Sequence, residues 1–400
     1  MIDHYDVIVV GAGPAGIAAA IRSARSGCKT LLLEKDSVHG GLAVRGNIPT
    51  ICGLFIKSPG SAPEFLYEGF PTEFALKLMQ HDSVTGPVKI GRVHVLPCRL
   101  GTFQKVSTVL LAAEKNLQIL YNVKIREVHV DGNRIQKIDL IENDIQRCIE
   151  TDVIIDSTGE AVICHMAGLV TFPENEFSQV PAILFSMNTT GKTSFSRSKM
   201  MSMLVRIKRA VDSGDLPQGA DAVSFTPEVG GDTLTVKLNL GVFLGPNQRI
   251  GVKEFEKMAN KLKRELAAFL LKNVEGFDQR SSFSEISPVL KRAGRRAKGF
   301  YVLTGKDVLT GAGFSDVAAR GCWPVEKYHF SKGSQISYPL DGTYYEIPER
   351  SLTVSEIENL FVAGKCISAD DDAIASARVI GCCLATGESA ARLAYQMLCR

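Results

Sequence analysis

A strand, a glycine-rich turn and a helix follow one another at the start of the chain, and this order constrains the fold more than any other feature. Val7 to Val10 is a β-branched run of the kind that forms a buried strand of a parallel sheet. The alanine-rich stretch from Ala15 to Ala24 predicts a helix, and Gly27 is placed to end it. A second strand is expected from Lys29 to Leu33. The segment therefore predicts a strand-helix-strand unit of an α/β sheet.

The glycines between the first strand and the helix have the spacing G-x-G-x-x-G. Gly11 permits a tight turn, Gly13 lets the backbone approach a pyrophosphate, and Gly16 lets the helix pack closely against the strand. The helix N-terminus adds a site for an anion. Glu34, directly after the second strand, is placed to accept hydrogen bonds from ribose hydroxyls. This order predicts a dinucleotide site, and a glycine-rich turn without a ligand is the alternative.

Length and composition limit the class of protein. The 400 residues exceed the usual size of one core, so we expect two domains or one domain with a large insertion. The net charge of +3 is mild and the charges are interspersed, so no nucleic-acid partner is predicted. No apolar run approaches the roughly 20 residues of a membrane span, and no secretion signal begins the chain, which predicts a cytoplasmic protein without a membrane span. Nothing marks the chain as secreted, so we expect its ten cysteines to be reduced thiols, and because they contain no CxxC pair we expect no metal site.

The remaining pattern divides the chain into three parts. Residues 1–170 continue the α/β pattern, with a glycine-rich segment after Glu34 that is expected to be an irregular, ligand-lining loop. Residues 171–345 read as a second domain of mixed strands and amphipathic helices, and residues 346–400 return to the first style. The predicted fold is an α/β protein with a discontinuous Rossmann-like domain, residues 1–170 plus 346–400, and a second α+β substrate domain, residues 171–345. Further predicted helices are 107–114, 198–212, 252–272 and 378–399, and further strands are 118–121, 124–130, 135–142, 152–159, 180–188, 232–244 and 358–364.

Three strand-to-glycine junctions identify a resemblance that covers essentially the whole chain. These junctions, at Gly11 to Gly16, Ser157 to Gly159 and Ala363 to Lys365, resemble those of the glutathione-reductase-like FAD flavoproteins. Within that group the chain resembles the FAD-dependent oxidoreductase family that is related to the flavoprotein subunits of fumarate reductase and succinate dehydrogenase. The supporting segments are HGGLAVRGN, LKRAGRRAKGFYVLTGKDVL and IPERSLTVSEIENLFVAGKCISADDDAIASARVIGCCLATGESAARLA.

The resemblance implies a noncovalent FAD in the Rossmann-like domain. His39 precedes the Gly40-Gly41 pair too closely to match the histidine that bonds to flavin in succinate dehydrogenases. The implied contacts are the pyrophosphate over Gly13 to Ala15, the adenosine ribose at Glu34, and backbone amides of Gly381 toward the pyrimidine end of the flavin. The residues assigned to the cofactor are Gly11, Gly13, Pro14, Ala15, Gly16, Glu34, Lys35, Gly40, Gly41, Leu42, Val123, Thr158, Gly159, Gly364, Lys365, Arg378 and Gly381.

The candidate catalytic residues lie in the last third of the chain. Arg292, Arg295 and Arg296 match an arginine-rich motif of the family and could clamp a carboxylate, with a solvated basic face as the alternative. His329 could act as an acid or base near neutral pH, or be structural. Asp371 is expected to face the flavin, although carboxylates at this position also cap a helix.

These features together predict an FAD-dependent oxidoreductase. We expect it to exchange a hydride between flavin N5 and a small polar organic substrate, an alcohol, an amine or an activated carbon-carbon double bond, and the arginines favour an anionic one. The alternatives are a flavin-carrying electron-transfer subunit of a larger complex and a dehydrogenase that binds NAD at the N-terminal site. The middle of the chain has no second GxGxxG after a strand, which argues against a separate nicotinamide domain. The electron acceptor is therefore left open among oxygen, a quinone, a protein partner and a transiently bound nicotinamide. An oligomer is compatible with the sequence.

Overall fold

A computed structural model gives the architecture of most of the chain. The residues that it describes are 3–56, 62–82, 86–172, 180–189, 195–228, 232–241, 252–292, 294–329, 333–340 and 344–400. Among these residues, no helix combines the length and the apolar character that a membrane span requires.

Strands and helices alternate around one sheet in the first part of the chain. In chain order, the elements are β1 (Asp3–Val10), α1 (Pro14–Arg25), β2 (Thr30–Leu33), α2 (Gly41–Arg45), β3 (Thr50–Ile51), α3 (Phe70–Asp82), β4 (Val88–Ile90), β5 (Val93–Pro97), α4 (Thr102–Ala112), β6 (Leu117–Leu120), β7 (Val123–Asp131), β8 (Arg134–Glu142), β9 (Ile145–Asp156), α5 (Val162–Met166) and β10 (Thr171–Phe172). The predicted strand-helix-strand unit is confirmed as β1, α1 and β2.

The second part of the chain carries a separate antiparallel sheet before it returns to the first. Its elements are β11 (Ala182–Asn188), α6 (Arg197–Ser213), β12 (Val223–Pro227), β13 (Thr233–Asn239), α7 (Val252–Asn273), β14 (Ser282–Phe283), β15 (Arg296–Ala297), α8 (Gly305–Thr310), β16 (Val317–Gly321), β17 (Val325–His329), β18 (Gly333–Ser337), β19 (Tyr345–Pro348), β20 (Leu360–Val362), α9 (Asp371–Ala377) and α10 (Ile380–Leu398). The strand predicted for 232–244 is confirmed over β13, and residues 242–244 lie outside the described ranges.

The main sheet contains strands from both ends of the chain. β6, β2, β1 and β9 are parallel neighbours in that order, and β20 adds a further parallel pairing with β9. The β7–β8 hairpin, which turns at Gly132, continues the sheet in antiparallel fashion. Parallel pairing requires that both faces of these strands be covered, which explains their continuous apolar sequences. The predicted α/β class with a Rossmann-like sheet is confirmed.

Small residues allow the last helix to close the first core. α10 packs against α1, and a Cβ atom on Gly387 would lie 2.0 Å from the Ala15 carbonyl oxygen. Only a residue without a side chain permits this approach of the two helices. The C-terminal segment is therefore an integral part of the first core.

The second sheet has its own core, formed with helices α6 and α7. The strands are ordered β12, β13, β11, β14, all antiparallel, and Ile183, Phe185 and Leu266 are among the buried side chains between sheet and helices. Leu303 and Tyr345 instead belong to the first core. The domain boundaries, residues 1–170 plus 346–400 and residues 171–345, remain a prediction.

The glycine-rich segment after Glu34 differs from its predicted irregular loop. It contains the short helix α2, which begins after Gly40, a residue with a φ of +100°. Five helical residues make little more than one turn, so no periodic pattern could mark them in the sequence.

Candidate active site

A large cavity opens where the parallel strands of the main sheet end. Its volume is about 1040 Å³, and Val10, Glu34, Ser157 and Gly364, which follow or end β1, β2, β9 and β20, all line it. In open α/β sheets, ligands bind in the crevice outside the carboxyl ends of the strands. The cavity lies at that place.

The three glycines of the first turn have different surroundings. Gly11 has a φ of +97°, and a Cβ atom there would lie 2.8 Å from the Ser157 carbonyl oxygen. A Cβ atom on Gly16 would lie 1.8 Å from the Gly11 carbonyl oxygen, whereas one on Gly13 would meet no atom within 4 Å. Gly11 and Gly16 are therefore required by packing inside the protein, and Gly13 leaves the backbone open toward the cavity that it lines.

Glu34 connects the end of β2 to the glycine turn. Its carboxylate accepts hydrogen bonds from the Ala12 amide at 2.7 Å and from the Asp36 amide at 3.0 Å. Burial, partly offset by these two amides, raises the pKa of the Glu34 carboxyl above its usual value. Each carboxylate oxygen keeps a second lone pair, so the side chain can still accept a hydrogen bond from a ligand in the cavity.

The second glycine pair lies against the first turn. The Gly40 amide donates to the Ala12 carbonyl at 2.7 Å, and a Cβ atom on Gly41 would lie 3.0 Å from Gly13 Cα. Gly41 and Leu42 line the cavity, whereas Gly40 does not. The pair thus places the start of α2 directly beside the open backbone of Gly13.

The turn after β9 is fixed by a buried carboxylate and a thiol. Asp156 accepts from the Thr158 hydroxyl at 2.7 Å and from the Ile163 amide at 2.8 Å, and the Gly159 amide donates to Cys366 Sγ at 3.1 Å. These contacts hold Thr158 and Gly159 on the cavity wall.

Lys365 lies beside the same turn and also lines the cavity. Gly159 has a φ of +76°, a conformation that favours glycine, and a Cβ atom there would lie 2.9 Å from the end of the Lys365 side chain. Burial lowers the pKa of the Lys365 ammonium, and attraction to Glu160 partly offsets this shift. Lys365 is therefore a titratable group that the cavity encloses.

Most residues that the sequence assigned to the cofactor meet at this one cavity. Those that line it are Gly11, Gly13, Pro14, Ala15, Glu34, Lys35, Gly41, Leu42, Val123, Thr158, Gly159, Gly364, Lys365 and Arg378. Gly16, Gly40 and Gly381 are not on its wall. The Gly381 amide donates to the Cys52 carbonyl at 2.9 Å, and a Cβ atom on Gly381 would lie 2.6 Å from the Gly53 carbonyl oxygen. Gly381 thus serves close packing, and its amide does not face the cavity as expected.

The structure separates the arginines that were expected to form a clamp. Arg296 is only 4% exposed, and its guanidinium donates to Asp371 Oδ1 at 2.6 Å and to the carbonyls of Ala369 and Gly294. All three of its nitrogens are thus engaged within the protein. Arg296 and Asp371 form an internal ion pair, and neither lines the cavity.

Arg292 and Arg295 lie elsewhere. Arg292 donates to Asn239 Oδ1 at 2.7 Å and to the Val180 carbonyl, and its guanidinium stacks 3.6 Å from the centre of the Tyr328 ring. Arg295 is half-buried and does not line the cavity. The solvated basic face, the alternative for this segment, is wrong for Arg296, which is buried, whereas Arg292 is half-buried and donates to groups within the protein. His329 ends β17, and its side chain lies outside the described part of the structure.

A half-buried polar cluster, which we call the Lys237 cluster, was missed by sequence reasoning. It consists of Lys237, Arg292, Glu326, Tyr328 and Arg378. Lys237 Nζ donates to the Tyr328 hydroxyl at 2.8 Å, and this hydroxyl donates to the Glu326 carboxylate. Arg378 Nη2 donates to the Glu326 carbonyl at 3.1 Å. Three cations therefore surround one carboxylate between the second sheet and the segment before α10.

The cluster changes the ionisation of its members. Burial, with repulsion from Arg292, lowers the pKa of Lys237 to about 8 and that of Arg378 to about 10. Burial would raise the pKa of Glu326, but the Lys237 ammonium and the Tyr328 hydroxyl hold it below its usual value. Burial and Glu326 raise the pKa of Tyr328. At neutral pH, the cluster thus carries three positive charges and one negative charge.

Part of this cluster had a signal in the sequence. Glu326 and Tyr328 are two residues apart on a strand, so their side chains share one face. Lys237 is a charged residue between Val236 and Leu238 in strand β13. Nothing in the sequence indicates that these two strands come together, because more than 80 residues separate them.

Two residues connect the cluster to the cavity. Arg378 and Cys52 both line the cavity, and the charges of Glu326 and Lys237 influence the Cys52 thiol. Burial raises the pKa of Cys52 to about 12, so its sulfur is a neutral thiol near pH 7. The arrangement can therefore bind a polar, anionic group through Arg378, while Cys52 contributes a neutral surface.

Comparison with curated proteins gives short local matches in sequence. A thioredoxin reductase of Ureaplasma parvum serovar 3 is 39% identical over 64 residues, which cover 16% of this chain and 20% of that protein. A dihydrolipoyl dehydrogenase of Chlamydia trachomatis is 34% identical over 97 residues, 23% of this chain and 21% of that protein. The matched stretches span only about a fifth of these relatives' own lengths.

A solved structure supports the fold over the whole chain. A geranylgeranyl bacteriochlorophyll reductase-like protein from Thermoplasma acidophilum superimposes with a TM-score of 0.51 and 14% identity, covering 100% of this chain and 79% of that one. At this identity the likeness shows the fold alone.

The family assignment comes from a match across nearly the entire sequence. The family model described as FAD dependent oxidoreductase matches residues 6–399. This match confirms the resemblance, the FAD cofactor and the oxidoreductase class that the sequence predicted, and it favours FAD over NAD at the N-terminal turn. The chain belongs to the FAD-dependent oxidoreductase family.

Proposed function

We propose that this flavoprotein exchanges a hydride with a small polar organic substrate that binds in the cavity at the carboxyl end of the main sheet. The candidate substrates are alcohols, amines and activated carbon-carbon double bonds. One observation carries the proposal: the same cavity is lined by the glycine turns after β1 and by Arg378 and Cys52. Bound FAD supplies the N5 atom that accepts or donates the hydride.

The cavity wall fits the dinucleotide part of the cofactor. Gly13 faces open space, which lets backbone amides at the start of α1 approach a pyrophosphate. α1 has no side chain that caps its first turn, so the amides of that turn are available to a ligand. Glu34 would accept hydrogen bonds from ribose hydroxyls, and Val123 would contact the adenine. These residues hold and orient the cofactor.

The surroundings of His39 support a noncovalent cofactor. His39 Nδ1 lies 2.8 Å from the Tyr121 hydroxyl, and the side chain is only 5% exposed. Burial lowers the pKa of His39, and the residue does not line the cavity. Its ring is thus committed to internal contacts and is not placed to form a bond to the flavin.

The substrate end of the cavity is expected to be at Cys52, Val379 and Arg378. These residues lie on the side of the cavity that adjoins the second sheet and the Lys237 cluster. The neutral Cys52 thiol and the Val379 side chain would exclude water, and Arg378 would orient a polar group. Water exclusion strengthens such a charge-assisted contact.

The test is anaerobic reduction of the flavin by candidate substrates. The oxidised holoenzyme is mixed without oxygen with alcohols, amines and saturated compounds, each class in anionic and uncharged forms, while the visible flavin band is followed. The chemically reduced holoenzyme is mixed in the same way with activated alkenes. Bleaching or reoxidation by one compound class supports the proposal. A flavin that responds only to another protein, and to no compound of the panel, would instead favour an electron-transfer subunit.

A further inference from the structure

The guanidinium of Arg378 is incompletely satisfied. Its Nη2 donates to the Glu326 carbonyl, whereas its Nη1 is buried and has no hydrogen-bond partner among the described residues. A buried guanidinium nitrogen without an acceptor is costly, and such groups in folded proteins usually find one. Because Arg378 also lines the cavity, a ligand there is the natural source of the acceptor.

The nearest carboxylate cannot neutralise Arg378 fully. Glu326 uses one carboxylate oxygen for the Tyr328 hydroxyl and the other for Trp323 Nε1, at 3.4 Å. Only its backbone carbonyl contacts Arg378. The Lys237 cluster therefore keeps a surplus of positive charge beside the cavity.

The other candidate arginines are engaged elsewhere. All three guanidinium nitrogens of Arg296 donate inside the protein, and Arg292 donates to Asn239 and Val180 while it stacks on Tyr328. Arg292 contributes charge to the cluster without reaching the cavity wall. Arg378 is thus the member of the cluster that can touch a substrate.

We propose that Arg378 binds the anionic group of the substrate, a carboxylate or a similar oxyanion, through its Nη1, and that the Lys237 cluster holds Arg378 in place and supplies the surrounding positive charge. This inference rests on the proposed function, since it assigns the substrate class to the same cavity. It replaces the clamp that the sequence suggested for residues 292–296. Arg378 is the binding residue, and Lys237, Glu326 and Tyr328 are positioning residues.

Binding of benzoate and of its uncharged isostere benzamide to the oxidised holoenzyme tests this proposal without turnover. Trp323 is the chain's single tryptophan and contacts Glu326, so its fluorescence reports on the cluster, while the flavin spectrum reports on the cavity. At constant ionic strength we expect saturable benzoate binding, with benzamide roughly tenfold or more weaker. Arg378→Gln should lose this preference, and Arg378→Lys should keep part of it because the charge remains.

Controls separate this claim from the loss of the cofactor. Flavin content is measured for each variant, and Arg350→Gln, a half-exposed arginine paired with Asp316 away from the cavity, should bind benzoate as the wild type does. Equal binding of benzoate and benzamide, or wild-type benzoate binding by Arg378→Gln, would overturn the proposal. Loss of flavin from both Arg378 variants would also overturn it, because Arg378 would then be a cofactor residue. The proposed function would fail on its own if benzoate bound through Arg378 but no compound of the substrate panel reduced or reoxidised the flavin.

Discussion

Lys237 illustrates how one enclosed charge can set the properties of a site. Its ammonium donates to Tyr328 and is repelled by Arg292. Replacing it with a neutral residue would remove positive charge from the vicinity of Arg378 without touching the cavity wall. At the scale of single residues, this gives a prediction about pH.

The affinity for an anion should fall as the pH rises through about 8. The lowered pKa of Lys237, about 8, means that the ammonium is charged below this pH and neutral above it, whereas Arg378 with a pKa of about 10 stays charged. We expect the wild type to bind benzoate more weakly above pH 8 than below it. Lys237→Met should bind benzoate weakly at every pH, without a change in affinity near pH 8. Titrations of the wild type and the variant across this pH range measure both. A step that persists in Lys237→Met would assign it to another group.

Folding stability should respond to the same lysine in the opposite sense. Between the folded pKa of about 8 and the usual lysine value, the unfolded chain binds more protons than the folded one, so the free energy of unfolding contributed by Lys237 rises with pH. Lys237→Met should remove this increase. Urea unfolding of both proteins on either side of this range detects the difference.

Gly13 and Gly16 offer a matched pair of substitutions within one turn. A Cβ atom fits at Gly13 without contact, so Gly13→Ala should fold with near-normal stability but bind FAD poorly because it narrows the pyrophosphate site. A Cβ atom at Gly16 would overlap the Gly11 carbonyl, so Gly16→Ala should destabilise the fold. Thermal unfolding in the absence of added FAD, together with flavin content, separates the two effects. Normal flavin content in Gly13→Ala would contradict the assigned pyrophosphate site.

At the scale of elements, the ion pair between Arg296 in β15 and Asp371 in α9 should be structural. Asp371→Asn leaves the enclosed guanidinium without its anionic partner, which should lower the free energy of unfolding by about 1–3 kcal/mol. As a control, Asp212→Asn breaks an exposed helical pair with Lys208 and should change the free energy of unfolding far less than Asp371→Asn does. Denaturant unfolding of both variants makes the comparison. If Asp371→Asn is as stable as the control but reduces its flavin slowly, the result would support a catalytic role for Asp371.

The elements differ in how much of them the sequence could predict. β1, α1 and β2 carry their signals locally, in an apolar run, in alanines and in the glycines between them, so their type and order were predicted correctly. α2 was missed because a five-residue helix shows no period. The partners of Arg296 could not be predicted either, since Asp371 and Ala369 follow it by more than 70 residues and meet it only through the packing of two elements.

At the scale of the whole molecule, the cavity depends on segments from all parts of the chain. Gly13 and Glu34 come from the first unit, Ser157 from the middle, and Gly364 and Arg378 from the C-terminal segment that adds β20 to the sheet. The cavity residues that follow the strands could be predicted because each turn has its own glycine signal. The Lys237 cluster could not, because it forms only when β13, β17 and the residues before α10 come together.

The measurement that tests the central claim most directly is the amount and attachment of flavin in the purified protein. The claim is that the cavity beside Gly13 holds one FAD without a covalent bond. The visible spectrum is recorded, the protein is denatured and filtered, and the flavin in the filtrate is identified and counted per chain. We predict FAD in the filtrate at about one per chain for the wild type, and far less for Gly13→Ala. Flavin that stays with the denatured protein, or a wild-type protein that neither contains nor takes up FAD, would contradict the account.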